Sequence, residues 1–301
     1  MRPNPGPPVP MKRRFELSDQ LGVRIAGDAA PSDPPDRPCS STPADVAPGA
    51  ELDDHLASLL SPNSFEADQY RVLRQFIERV RAGKEIKVLG VTSPAAGDGK
   101  TTTAINLAAT LAQSQGARVL LVDADLRRPF VAASLGLGTD TNGPGLAGAV
   151  VDDGLALETV IRKTPYNLDV LPAGVPPDNA YEVLDSGCLG RLLADARSSF
   201  DWVVLDMPPV LLVPDCRLMS QWVDGYLVVV VAHRTPRRLL AETLNAIDQS
   251  KVLGIVFNGD ERQLSGYYQS YYGAHHRGRE RAGWWPWKRR HGGPGRPEPW
   301  R

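Results

Sequence analysis

An α/β domain built on a doubly wound, mostly parallel sheet is the fold this sequence predicts, and three observations predict it. Short apolar runs rich in β-branched residues recur at 86–91, 117–122, 167–171, 201–205, 225–231 and 253–257, as expected of strands covered on both faces. Helical patterns separate these runs, and the connections are long enough for right-handed crossovers. The first run ends in a glycine-rich loop and two others end in aspartate, at Asp123 and Asp206. Polar residues thus gather where a parallel sheet opens its ligand crevice.

Taken in order, residues 1–60 hold eleven of the 27 prolines and few large apolar residues, so they read as a disordered segment ahead of the domain. Order is expected from 61 to 260. Asn63-Ser-Phe-Glu66 reads as a capping box, and Tyr70, Leu73, Ile77 and Val80 then recur at helical spacing until Gly83. Asp68, Arg71 and Arg74 fall on one polar stripe of that helix. They read either as a solvated face with internal ion pairs or as a subunit contact.

Ile86 to Val91 is the first strand, and the helix that starts near Thr101 runs to Gly116. The loop between them, SPAAGDGK, has the form of a phosphate cradle. Ala96, Gly97, Asp98, Gly99, Lys100, Thr101 and Thr102 are the expected nucleotide-binding residues. Glycines turn backbone N–H groups inward and the helix start adds its positive end. Lys100 supplies a charge for the β- and γ-phosphates and Thr101 a hydroxyl for Mg²⁺. The pattern departs from the strict Walker A motif in having Pro94 where a small residue is usual.

The second strand runs into Asp123-Ala-Asp125-Leu-Arg127-Arg128-Pro129. Two carboxylates at a strand end can hold Mg²⁺, directly or through water, or accept a proton from an incoming hydroxyl. A helix opens at Gly145-Leu146 and continues through 155–161. A third strand spans 167–171, and Asn179 reads as the cap of a helix over 181–184. The fourth ends in Asp206-Met-Pro-Pro209, the Walker B arrangement of an apolar strand closed by a metal-holding carboxylate. A fifth strand, a helix from Arg237 to Asp248 and a sixth strand closed by Asn258-Gly259 complete the domain.

From 261 to 301 the chain carries nine Lys/Arg and three Glu. It begins with Tyr267, Tyr268, Tyr271 and Tyr272 in SGYYQSYYG and continues through GWWPWKRR. This segment reads as a flexible tail with an aromatic, basic stretch suited to a membrane surface. A formal charge of -1 over 301 residues argues against a dedicated nucleic-acid binder. Three scattered cysteines suggest neither a disulfide framework nor a zinc site, which fits a reducing, cytoplasmic setting. The longest apolar stretch, 226–232, is far short of the roughly 20 residues a spanning helix needs.

Together, SPAAGDGKTTT, LLVDADLRRP, VVLDMPP, VDGYLVVVVAHRTPRR and YYQSYYG resemble the bacterial tyrosine kinases of capsular and exopolysaccharide systems, over residues 64 to 273. The resemblance implies the P-loop fold of the deviant-Walker ATPases, with ATP and Mg²⁺ as cofactors and autophosphorylation of Tyr267, Tyr268, Tyr271 and Tyr272. It implies that Lys100 and Thr101 serve phosphate and Mg²⁺, that Asp123 is the Mg²⁺-linked base or activator with Asp125 its partner, and that Asp206 is the Walker B carboxylate. It further implies a ring of subunits joined through Asp68, Arg71 and Arg74, and a membrane adaptor that activates a soluble kinase at the inner face of the plasma membrane. Ala96 stands where many members have proline, and Asp68 where the oligomerisation motif has glutamate. Two other functions remain open on the residues. A positioning ATPase of the partition type shares the fold but carries a lysine where Ala95 stands and has no use for a tyrosine-rich tail; a non-catalytic scaffold would bind ATP and regulate polysaccharide assembly by interaction alone.

Overall fold

The computed structural model describes residues 52–137, 143–152 and 155–259. Seven strands form one sheet in the order β3-β4-β2-β5-β1-β6-β7. They are β1 (Val88–Thr92), β2 (Val119–Asp123), β3 (Arg162–Lys163), β4 (Asp169–Leu171), β5 (Trp202–Asp206), β6 (Gly225–Val231) and β7 (Val252–Asn258). All neighbours pair in parallel except β3, which runs antiparallel to β4. The central strands β1, β2 and β5 are buried at every residue. That is why they could be read as continuous apolar runs rather than alternating ones.

The helices are α1 (Ala57–Leu60), α2 (Phe65–Arg81), α3 (Lys100–Ala112), α4 (Val131–Ser134), α5 (Gly145–Val151), α6 (Leu157–Val160), α7 (Ala180–Asp185), α8 (Gly187–Ser199), α9 (Asp215–Met219) and α10 (Arg237–Ala246). They divide the apolar interior into two layers, one on each face of the sheet. On one face α3 lies against Leu89, Val91, Leu121 and Val204. On the other, Leu146, Leu184, Leu193 and Met219 pack over Val122, Val203 and Val228.

Several expectations need correction. Residues 52–60, read as part of a disordered segment, are ordered here: Leu56 is buried, and the Ser58 N–H donates to Asn106 Oδ1 at 2.8 Å. This nine-residue stretch is too short to signal itself beside the proline-rich chain before it, yet it covers the outer face of α3. Consequently α3 is buried nearly all round, with Asn106 at its centre also donating to the His55 carbonyl. Ser64, not Asn63, caps α2, accepting from the Ala67 N–H at 3.2 Å. The expected helix through 145–161 breaks between α5 and α6 and gives way to β3, which pairs with β4. Asn167 has φ 56° and so turns the chain, delaying β4 to Asp169. Asn179 does cap α7, accepting from the Tyr181 N–H.

Arg74 also departs from the expected stripe. Its guanidinium donates to the Thr110 carbonyl at 3.1 Å, tying α2 to α3, and its Nε lies 3.6 Å from Glu78. Asp68 and Arg71 pair with each other. The three therefore do not form one solvent-facing row, because the Arg74 guanidinium is held on the Thr110 carbonyl of α3.

Candidate active site at the carboxyl end of the sheet

The C-terminal ends of β1, β2 and β5 converge on one buried polar cluster. Gly97 and Gly99 have φ of 82° and 91°, the left-handed region that L side chains rarely occupy, and they fold the loop over the start of α3. A Cβ at Gly99 would come within 1.9 Å of Asn258 Nδ2 and push that amide aside, and the φ of 91° is itself strained for any L side chain. Ala96 and Gly97 are exposed at the crest, and Thr101 and Thr102 are half-buried in the first turn of α3.

Beneath the loop, Lys100 Nζ lies 2.9 Å from Asp125 Oδ2 and 3.5 Å from Asp206 Oδ1. The Thr101 hydroxyl donates to Asp206 Oδ2 at 2.6 Å. Asp123 and Asp206 are direct neighbours in the β2–β5 register. Asp123 Oδ2 accepts the N–H groups of Phe130 and Val131, both at 3.0 Å, and so fixes the start of α4. Asp123 Oδ1 and Asp206 Oδ1 are buried and accept no hydrogen bond. Lys100, Thr101, Asp123, Asp125 and Asp206 are thus brought together by elements far apart in the chain.

Burial pushes the Asp123 carboxyl up to about 7, with the neighbouring Asp206 charge adding to the rise and the Val131 N–H and Lys100 opposing it. Burial likewise lifts Asp206 to about 6, against the pull of Lys100 and the Thr101 hydroxyl. For Lys100, burial alone would lower the ammonium, but Asp206 and Asp125 beside it reverse the sign and raise it. The cluster has more negative charge than one lysine neutralises. It is built for further cations.

The donor set fits Mg²⁺. Thr101 offers a hydroxyl, and Asp123 and Asp206 each offer an oxygen left without a hydrogen bond. Among the described residues no group of three or more His, Cys, Asp or Glu forms an all-protein metal cage. Mg²⁺ needs none, since it keeps several waters and completes its shell with phosphate oxygens.

The sequence did not single out the residues that brace the loop. Asp98, expected to face the nucleotide, is turned inward: its carboxylate accepts from the Ala95 N–H at 3.1 Å and the Thr235 hydroxyl at 2.9 Å. Arg234 donates to the Gly97 carbonyl and Asn258 to the Asp98 carbonyl, each at 3.1 Å. Asp215, buried at the start of α9, receives a two-pronged contact from Arg127 at 2.8 and 3.0 Å. Only the position of Asn258 at the end of β7 and of Thr235 shortly after β6 hinted at any of this. On the far side of Asp123 a cavity of about 110 Å³ is lined by Pro129, Leu137, Val160, Arg162 and Pro172. Tyr267, Tyr268, Tyr271 and Tyr272 lie outside the described residues.

Residues 86–250 match the AAA domain family. Over 227 residues the chain is 34% identical to the tyrosine-protein kinase YwqD of Bacillus subtilis (strain 168), an alignment covering 75% of this chain and 94% of that protein. The chain belongs to the bacterial tyrosine-protein kinase family. This kinase is also 32% identical over 219 residues to the succinoglycan biosynthesis transport protein ExoP of Rhizobium meliloti (strain 1021), but there it spans only 27% of the relative's length. Among solved structures, the chimerical protein CapA2B2 superimposes with a TM-score of 0.63 at 28% identity, covering 69% of this chain and 92% of that one. The family match includes the kinase's phosphate loop, both aspartate-ended strands and every strand of the sheet but β7, since these lie within residues 86–250.

Proposed function

We propose that this chain is an ATP-dependent protein-tyrosine autokinase that regulates capsular or exopolysaccharide synthesis or export and phosphorylates its own C-terminal tyrosines. The observation that carries the reading is the unsatisfied, buried Oδ1 of Asp123, a residue that neighbours Asp206 of the Lys100 cluster and also lines a cavity. Phosphoryl transfer rests mainly on positioning and charge stabilisation. The loop N–H groups and Lys100 hold the phosphates of ATP. Thr101, Asp206 and Asp123, with Asp125 completing the cluster, would hold Mg²⁺, which would supply charge neutralisation at the phosphates. Asp123, with its raised pKa, accepts the proton of the acceptor hydroxyl, and the cavity beside it has room for one phenol ring.

The last described strand supports the choice of substrate. β7 delivers Asn258 to the phosphate loop, and Tyr267 follows nine residues later, at most about 32 Å of extended chain. The tail tyrosines can therefore reach this site or that of an adjoining subunit. A ring assembly would involve Asp68 and Arg71 on α2, with Arg74 acting through its hold on α3. Activation by a membrane adaptor, at the inner face of the plasma membrane, belongs to the same proposal. Among the described residues no helix is long and apolar enough to cross a membrane.

Incubation with labelled ATP and Mg²⁺ in the presence of the adaptor, followed by phosphoamino-acid analysis, tests the reading. Phosphotyrosine at 267, 268, 271 or 272 by mass spectrometry is the expected result. Free phosphate alone would point to a positioning ATPase, and neither product to a scaffold.

A further inference from the structure

We propose that the loop joining β6 to α10 is a phosphotyrosine docking site, built from Arg234, Arg237 and Arg238, that holds the chain's own modified C-terminal segment beside the phosphate loop. The proposal rests on the autokinase reading above, and its test is arranged so that the two can fail separately.

The loop is rigid and electropositive. The Thr235 hydroxyl accepts the Val231 N–H at 2.9 Å and donates to Asp98, and the Arg234 and Thr235 N–H groups both donate to the Val231 carbonyl. His233 sits at φ 59° to complete the bend. This frame projects Arg234, Arg237 and Arg238 into solvent. Arg238 pairs with Glu242 at 2.8 Å. Arg234 spends one nitrogen on the Gly97 carbonyl, and Arg237 has no hydrogen-bond or ion-pair partner among the described residues. Of the three guanidinium groups, only that of Arg238 has a carboxylate partner among the described residues. The start of α10 adds to the field, since Pro236 provides no side-chain cap and the first turn holds no acidic residue.

The geometry points to an anion that arrives from the chain's own end. The Ala232 N–H donates to the Asn258 carbonyl at 2.8 Å. A Cβ on Gly259 would lie 3.5 Å from Val231 Cγ1. The polypeptide therefore leaves the sheet against the first residues of the arginine loop. Tyr267 is eight residues beyond Gly259, within about 28 Å. A short tether of this kind gives local concentrations of order millimolar. An unmodified tyrosine offers the loop nothing but a neutral hydroxyl. A phosphotyrosine carries about -1.5 to -2 charges and three acceptor oxygens, which match the forked donors of arginine. Docking would also compete for Arg234 with the Gly97 carbonyl, so the reaction product would act on the loop that holds the nucleotide.

The test uses the full chain, shown by intact mass to carry no phosphate, with saturating Mg²⁺–ADP to fill the nucleotide site. A fluorescent synthetic peptide of residues 265–273 is titrated by anisotropy, either unmodified or phosphorylated at Tyr271 and Tyr272. The phosphorylated peptide is expected to bind at least tenfold more tightly. Arg237→Glu combined with Arg238→Glu, which leaves the Arg234–Gly97 contact in place, is expected to abolish that difference at unchanged Tm. Equal binding of the two peptides or full retention of binding by the double variant would each overturn the docking site. Because the phosphates are installed synthetically, such a failure leaves the kinase reading standing, whereas absence of phosphotyrosine after incubation with ATP defeats that reading whatever the peptide does.

Discussion

Two regions of the crevice both bury aspartates but use them in opposite ways. At the ends of β2 and β5, Asp123 and Asp206 each keep one oxygen without a hydrogen bond. Under the phosphate loop and at the start of α9, Asp98 and Asp215 engage both oxygens, the first with Ala95 and Thr235 and the second with Arg127. All four are nearly inaccessible to solvent. Burial alone therefore does not mark a reactive carboxylate; incomplete satisfaction does, because the missing bonds are reserved for something that arrives later. The satisfied pair maintains shape, and the unsatisfied pair holds charge at a cost.

The sharpest way to break this contrast is to substitute within each region and compare activity with stability. Asp123→Asn should reduce tyrosine phosphorylation by about 100-fold or more while leaving the fold intact, as expected for loss of a proton acceptor. Labelled-ATP transfer, read beside circular dichroism, measures both. Wild-type transfer by this variant would move Asp123 into the bracing class.

Arg127→Ala acts in the other region. It strands Asp215 as an uncompensated buried charge, for which the expected cost is about 2–3 kcal/mol in urea unfolding, reduced from the usual figure because water can reach a vacated arginine site. A change below 0.5 kcal/mol would mean that the Arg127–Asp215 contact holds nothing in place.

The pH dependence separates the regions more finely. With Asp123 raised to about 7 and Asp206 to about 6, the folded, nucleotide-free protein binds protons more tightly than the unfolded chain. Stability contributed by these groups is full below about pH 4, falls as pH rises through 4 to 7, and is flat above. Asp123→Asn should remove much of that slope and raise stability at pH 8 by on the order of 1–2 kcal/mol. Thermal melts at pH 5 and 8 provide the check, and an unaltered slope in the variant would refute the assignment.

The smallest expected effect is that of Thr235→Val. Loss of the hydroxyl leaves one Asp98 oxygen and the Val231 N–H unpaired, at about 1–2 kcal/mol, and should weaken nucleotide binding more than it lowers the maximal rate. Calorimetric titration with ADP would show this. Unchanged affinity would place Thr235 outside the loop's support.

How much of this could be read in advance depended on whether the physics was local. The strand ends at Asp123 and Asp206 and the loop from Ala96 to Thr102 were legible because strand, turn and helix signals there are contiguous. The inward turn of Asp98 was not, since nothing within SPAAGDGK reveals that Thr235, 137 positions away, would donate to it. Arg74 misled for the same reason: its spacing from Asp68 is a helix property, but its partner is a carbonyl on α3.

By itself, then, the sequence determined the parallel α/β architecture, the phosphate loop and the identity of the carboxylates at the strand ends, because apolar runs buried on both faces, positive-φ glycines and strand-terminal charges are properties of short segments. The tertiary structure alone decided which oxygens stay unpaired, which charges brace the loop, and that residues 52–60 close over α3. Each of these depends on which distant groups the sheet order β3-β4-β2-β5-β1-β6-β7 brings within hydrogen-bonding distance, and a hydrogen bond's range of about 3 Å leaves no trace in sequence spacing.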